Sequence, residues 1–108
     1  MIKILHLGIP TEKKMTGKEY TYLEDIKLHV TNPDLDEFKL QYVCAEPDSP
    51  LPEIVRQKNH FSIGVESIEA VLSHFDYVVF PPRVINDKLK LCFAVKDNVL
   101  FELMETHY

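Results

Sequence analysis

The chain repeats itself, and this limits its possible folds more than any other feature. The tetrapeptide "HLGI" (6–9) returns as "HFSI" (60–63): histidine, apolar, small, isoleucine, at an offset of 54 residues. A longer match follows without a gap. "KLHVTNPDLDEFKLQY" (27–42) lies over "KLCFAVKDNVLFELME" (90–105) at an offset of 63, with five of sixteen positions identical. Those are Lys27/Lys90, Leu28/Leu91, Asp34/Asp97, Phe38/Phe101 and Leu40/Leu103. The second half holds nine more residues between its anchors, and its helical pattern falls there. Two matches in the same order describe a duplicated unit whose first copy has a reduced helix.

The local patterns fill in that unit. "IKILHLGI" (2–9), "IKLHVT" (26–31) and "FKLQYVCA" (38–45) read as strands, with residues 10–24 unassigned and "NPDLDE" (32–37) a turn. Three prolines in "EPDSPLPE" (47, 50, 52) favour an extended connector between the halves. The second half opens with the strand "HFSIGV" (60–65). Ser67 then stands as N-cap before Ile68, Val71, Leu72 and Phe75, an amphipathic helix by spacing. "YVVF" (77–80) is a strand closed by Pro81-Pro82. "LKLCFAV" (89–95) and "VLFELME" (99–105) follow, joined by a turn at "KDN". The expectation is one α+β domain, 1–108, of two modules (1–50 and 59–105), the second reading β-α-β-β-β.

Strand parity selects the chemistry. Alternate residues of a strand share a face, so His6 sides with Ile4 and Gly8, and His60 with Ser62 and Gly64. Glu102 sides with Leu100 and Met104, a carboxylate between bulky apolar neighbours, which is costly if it stays unpaired. At the offset of 63 its counterpart is Lys39. Pseudo-twofold packing of the halves brings His6, His60, Glu102 and Lys39 around one concave surface, with Ser62 and Met104 beside them. Two histidines and a carboxylate suit Fe(II), Zn²⁺, Ni²⁺ or Mn²⁺. A Glu102–Lys39 ion pair without metal is the alternative reading. His29, His74 and His107 have no such support and are expected to face solvent.

Composition excludes several classes. A net charge of −5 with scattered basic residues argues against nucleic acid and anionic membrane. Cys44 and Cys92 lack metal-ligand spacing and sit in apolar runs, as buried free thiols of a reducing compartment do. The start, "MIKILHLGIP", is too short for a signal-peptide core, and no apolar run reaches membrane-spanning length. A cytoplasmic location is expected.

A duplicated βαβββ unit with "HLGIP" at the start, "HFSIGV" mid-chain and "LFELME" at the end resembles the vicinal oxygen chelate superfamily. That group includes glyoxalase I, extradiol dioxygenases, methylmalonyl-CoA epimerase and the bleomycin and fosfomycin resistance proteins. The likeness covers nearly the whole chain, is strongest over 59–105, and is to the small single-domain branch. It implies a U-shaped, partly closed mixed sheet around a cavity, with one divalent metal ion (Zn, Ni, Fe or Mn). The implied ligands are the first-strand histidine and last-strand acid of each module: His6, His60 and Glu102. The fourth position falls on Lys39, where glyoxalase I uses an acid and the epimerase a glutamine. The implied activity is lyase or isomerase chemistry on a small metabolite with vicinal oxygens, Glu102 serving as ligand or base. Non-enzymatic small-molecule binding, as in bleomycin resistance, and dioxygenase-like activity are the alternatives. A homodimer is also implied.

Overall fold

Alternation of apolar and polar or small residues makes eight strands, and all eight join one sheet. The computed structural model describes residues 2–105. The strands are β1 (Lys3–Pro10), β2 (Thr21–Leu23), β3 (Leu28–Val30), β4 (Leu40–Ala45), β5 (His60–Gly64), β6 (Tyr77–Asn86), β7 (Leu89–Lys96) and β8 (Val99–Glu105). Two short α-helices lie among the described residues, α1 (Glu53–Gln57) and α2 (Ile68–Val71), with three 3-10 turns beside them. The sheet is mixed and curls into a half-barrel, so the α+β expectation holds at that level.

The strand order is β2-β3-β4-β1-β5-β8-β7-β6. β1 and β5 pair antiparallel at the centre, with Leu7 opposite Phe61, His6 opposite Ser62 and Gly8 opposite His60. Outward from this pair each half runs alike: β1 is parallel to β4, and β5 is parallel to β8. The remaining neighbours on both sides are antiparallel. At the far edges, Arg83 on β6 donates through Nε to Asp25 Oδ2 (2.8 Å), beside β2, and draws the curl together.

Parity divides the core in two. Leu91, Phe93, Val95 and Leu100 join Leu28, Val43, Leu51 and Val55 on the inner face. Ile63, Val65, Cys92, Ala94 and Leu103 face outward and are covered by Ile68 of α2. Burying each such side chain contributes roughly 1.5–3 kcal/mol.

Several expectations change in detail. Ser67 does cap α2, its hydroxyl accepting from the Ala70 amide, but the helix is one α turn continued by a 3-10 turn at 72–74. Phe75 ends that segment and packs, with Val71 and Leu72, on the outer core. β6 does not stop at Pro81-Pro82. It runs through them to Asn86 with register shifts between Phe80 and Arg83, which an edge strand allows because prolines need no ladder partner there. The connector is extended through Pro52, and then α1 forms and buries Val55 against the inner face. β2 arises within the stretch that carried no clear pattern.

Candidate functional site

The centre of the inner face is polar because two histidines and a glutamate fall on matching rungs. His6, His60 and Glu102 are 6%, 3% and 7% exposed. Nε2 of His6 lies 3.7 Å from Glu102 Oε1, and Nε2 of His60 lies 3.6 Å from the same oxygen. Both distances allow charge attraction but exceed hydrogen-bond length. The hydrogen bond to Oε1 comes from Ser62, whose hydroxyl donates at 2.5 Å from a fully buried position. His6 Nε2 and His60 Nδ1 are buried with no hydrogen-bond partner. Burial pushes the Glu102 carboxyl up, but the His6 and His60 imidazoles and the Ser62 hydroxyl outweigh it and hold it well below the usual carboxylate range.

Small residues make room for the rings. A Cβ built on Gly8 meets His60 Nε2 at 2.0 Å and Cε1 at 2.4 Å, so the imidazole occupies the space that glycine leaves. The His60 ring also makes a T-shaped contact with Phe93, with centroids 5.2 Å apart. The ring is therefore in close contact with both the Gly8 backbone and the Phe93 ring.

A cavity of about 130 Å³ opens beside these groups. His60, Glu102, Met104 and Phe93 line it from the second half, Val30, Gln41 and Val43 from the first, and Leu51, Val55 and Arg56 from the connector and α1. Met104 thus stands where parity puts it. Ser62 lies beneath Glu102 and supports it.

Lys39 is not in the cavity, and the Lys39–Glu102 pairing is corrected. Its φ is +58°, it is exposed, and its ammonium pairs with Asp34 at 3.1 Å. The Asp36 carboxylate accepts from both the Phe38 and Leu40 amides and holds this turn just ahead of β4. The strand register puts Gln41, not Lys39, at the position that matches Glu102. Gln41 is opposite Gly8, and Glu102 is opposite Ser62, the residue equivalent to Gly8 in the first match. The structural offset between β4 and β8 is therefore 61, two less than the one that maximises identity. A slip of two keeps every side chain on its face, so parity gave no warning. Gln41 Nε2 donates to the Thr31 carbonyl at 3.1 Å, which leaves Oε1 as the amide's unused acceptor.

Of the other histidines, His29 is half-buried on the outer face, stacked on Tyr22 and 3.6 Å from Glu46, and not fully in solvent. His74 is exposed as expected, and His107 lies outside the described residues. Cys44 and Cys92 are buried free thiols, and burial pushes both thiols up, Cys92 to about 11.

The donor set suits a divalent metal in kind. Two ligands about 2.1 Å from one ion stand roughly 3.0–3.4 Å apart, so the imidazoles need to approach Oε1 by a few tenths of an ångström. As placed, no group of three or more His, Cys, Asp or Glu among the described residues forms a ready metal site. No helix among the described residues is long and apolar enough to cross a membrane. The sequence matches no protein-family model and no curated protein.

Proposed function

We propose that the two half-sheets are copies of a βαβββ-derived unit of the vicinal oxygen chelate type, and that their shared cavity is a metal-assisted site for a small oxygenated metabolite. The observation that carries this reading is the buried Glu102 oxygen flanked by two imidazole nitrogens, one with no other partner, at a cavity wall. A structural ion pair alone has little use for an orphaned buried nitrogen, which costs about 1–3 kcal/mol. In this reading His6, His60 and Glu102 hold one divalent ion, and Gln41 supplies the fourth group through Oε1. That replaces Lys39 and gives the glutamine pattern that the resemblance associates with the epimerase.

When bound, the ion supplies Lewis-acid stabilisation of negative charge on substrate oxygens. The chain's own residues do the rest. Phe93 and Gly8 fix the His60 ring, and Ser62 orients the Glu102 carboxylate. Glu102, ionised and largely shielded from water, serves as a ligand to the ion in this reading, and as a base that moves a proton only where it does not hold the ion.

One observation favours a second reading, a binding protein without metal. Ser62 already engages the oxygen that both imidazoles approach. In that case a His–Glu–His cluster orients a neutral or anionic ligand directly.

Thermal unfolding separates the two. The proposal expects chelator-treated protein to gain stability on adding Zn²⁺, Ni²⁺, Mn²⁺ or anaerobic Fe²⁺, by about 2.7 kcal/mol at a hundredfold excess over Kd. His6→Ala and His60→Ala should abolish the gain. A wild-type chain indifferent to all four ions contradicts the proposal and leaves the binder.

A further inference from the structure

The cavity has one cation beside it that no other group uses. Arg56, on α1, lines the cavity and is exposed. Among the described residues its guanidinium forms no ion pair or side-chain hydrogen bond. The acid one turn before it, Glu53, is engaged by Gln57 Nε2 at 2.9 Å. The buried neighbour Val55, 2% exposed, anchors α1 to the inner face and so fixes where Arg56 begins.

The other lining groups sort by chemistry. Gln41, His60 and Glu102 form a polar group on the sheet, and Leu, Val, Ala, Phe and Met side chains make up most of the remaining wall. A ligand matching this cavity has an oxygen-bearing group for the sheet residues and a short apolar body. It also needs an anionic group for Arg56. A guanidinium presents a planar fork of donors that fits a carboxylate in two parallel hydrogen bonds. The volume of about 130 Å³ is metabolite-sized, below the ~300–1,000 Å³ of pockets for drug-sized ligands.

We infer that the substrate is a short-chain carboxylic acid with an oxo or hydroxy group, its carboxylate held by Arg56 and its other oxygen turned toward Gln41, His60 and Glu102. This rests on the cavity being a small-molecule site, as proposed above, but not on the metal. Arg56 neutralises the ligand's charge at the entrance, which lets an anion approach the ionised Glu102. Because the guanidinium is at the surface, its attraction weakens with salt.

Calorimetric titration of the full chain with 2-oxobutanoate, 2-hydroxybutanoate and their methyl esters tests this. At least one acid should bind the wild type, and its ester about tenfold more weakly or worse. Arg56→Gln should weaken the acid by about 10–100-fold, matching a lost charged hydrogen-bond pair, and leave the ester unchanged. Arg56→Lys should fall between, since the charge stays and the fork is lost. Failure of both acids to bind, equal affinity for acid and ester, or acid binding unchanged in Arg56→Gln overturns the inference. Arg56 is exposed, so the variants keep the fold, and circular dichroism checks it. Arg56-dependent acid binding in a chain that ignores metal removes only the metal reading. Metal-dependent stabilisation with acid binding indifferent to Arg56 removes only this inference.

Discussion

Gln41 and Glu102 stand on matching rungs of the two half-sheets, and the halves around them differ in cover and in charge. The second half has long strands, α2 over its outer face, and an ionised carboxylate on its inner one. The first half has a three-residue β2 and β3, a loop where the second has α2, and a neutral amide. Its outer face is barer: Leu40 and Tyr42 of β4 are half-buried there, whereas Leu103 of β8 is fully buried. The second half therefore supplies most of the core, and the first supplies Gly8, His6 and Gln41 to the polar cluster and cavity that both halves line. The strand order is alike on the two sides, while the cover and the charge are not.

The largest effect expected from that asymmetry is in the core. Phe93→Ala removes a ring that packs on both Phe80 and His60, and should cost about 3–5 kcal/mol. Phe38→Ala, in the half with less cover, should stay within about 0.5 kcal/mol. Chemical denaturation measures both. Equal losses would mean that the halves share stability evenly.

Gly8→Ala comes next. Its Cβ would overlap the His60 ring, so the ring must leave its place against Gly8 and Phe93, at a cost of about 1–3 kcal/mol and with loss of metal-dependent stabilisation. Gly64→Ala is the control from the second half. Its nearest neighbour is Leu5 Cδ1 at 3.5 Å, an ordinary contact, and little should change. A functional Gly8→Ala chain would break the account of how His60 is held.

Acid titration examines the carboxylate. Glu102 has a folded pKa below its unfolded value, which is about 4.3. Its contribution to stability is therefore complete above the unfolded value and is lost as pH falls toward the folded one. Without metal, Glu102→Gln should lower stability at neutral pH and make the decline below about pH 4.3 shallower. An unchanged acid profile would mean that the imidazoles do not stabilise the charge.

The smallest effects separate Gln41 from Lys39. Gln41→Ala deletes one hydrogen bond to Thr31, worth about 1 kcal/mol, and should weaken metal or ligand binding. Lys39→Ala touches only an exposed pair with Asp34 and should alter neither beyond about 0.5 kcal/mol. The reverse result would restore the register that sequence identity favours.

Much of this was legible before any coordinates. The His6/His60 pairing, the inner-facing Glu102 and Met104, and the Ser67 cap follow from period-two alternation and cap chemistry, which are local. Gln41 was hidden for a different reason. Identity between "KLHV" and "KLCF" outvotes hydrogen-bond register, and a two-residue slip leaves every hydrophobic residue on its correct face. The positive φ of Lys39, imposed by Asp36, carries no composition signal beyond an Asp in a turn. α1 was hidden by its three flanking prolines, although Pro52 only precedes it and a proline there obstructs nothing. Arg56 has no sequence signal of its own, since a lone arginine means nothing until a cavity wall is known.

The central claim is that His6, His60, Glu102 and Gln41 form one metal site built across the two halves. Elemental analysis of the full chain, purified without chelator after growth with Fe, Zn, Ni and Mn supplied, tests it most directly. The account predicts about one divalent ion per chain, with little in His6→Ala or His60→Ala and an unchanged amount in Lys39→Ala. A metal-free wild type that stays metal-free on reconstitution, or metal content that survives loss of both histidines, would contradict it.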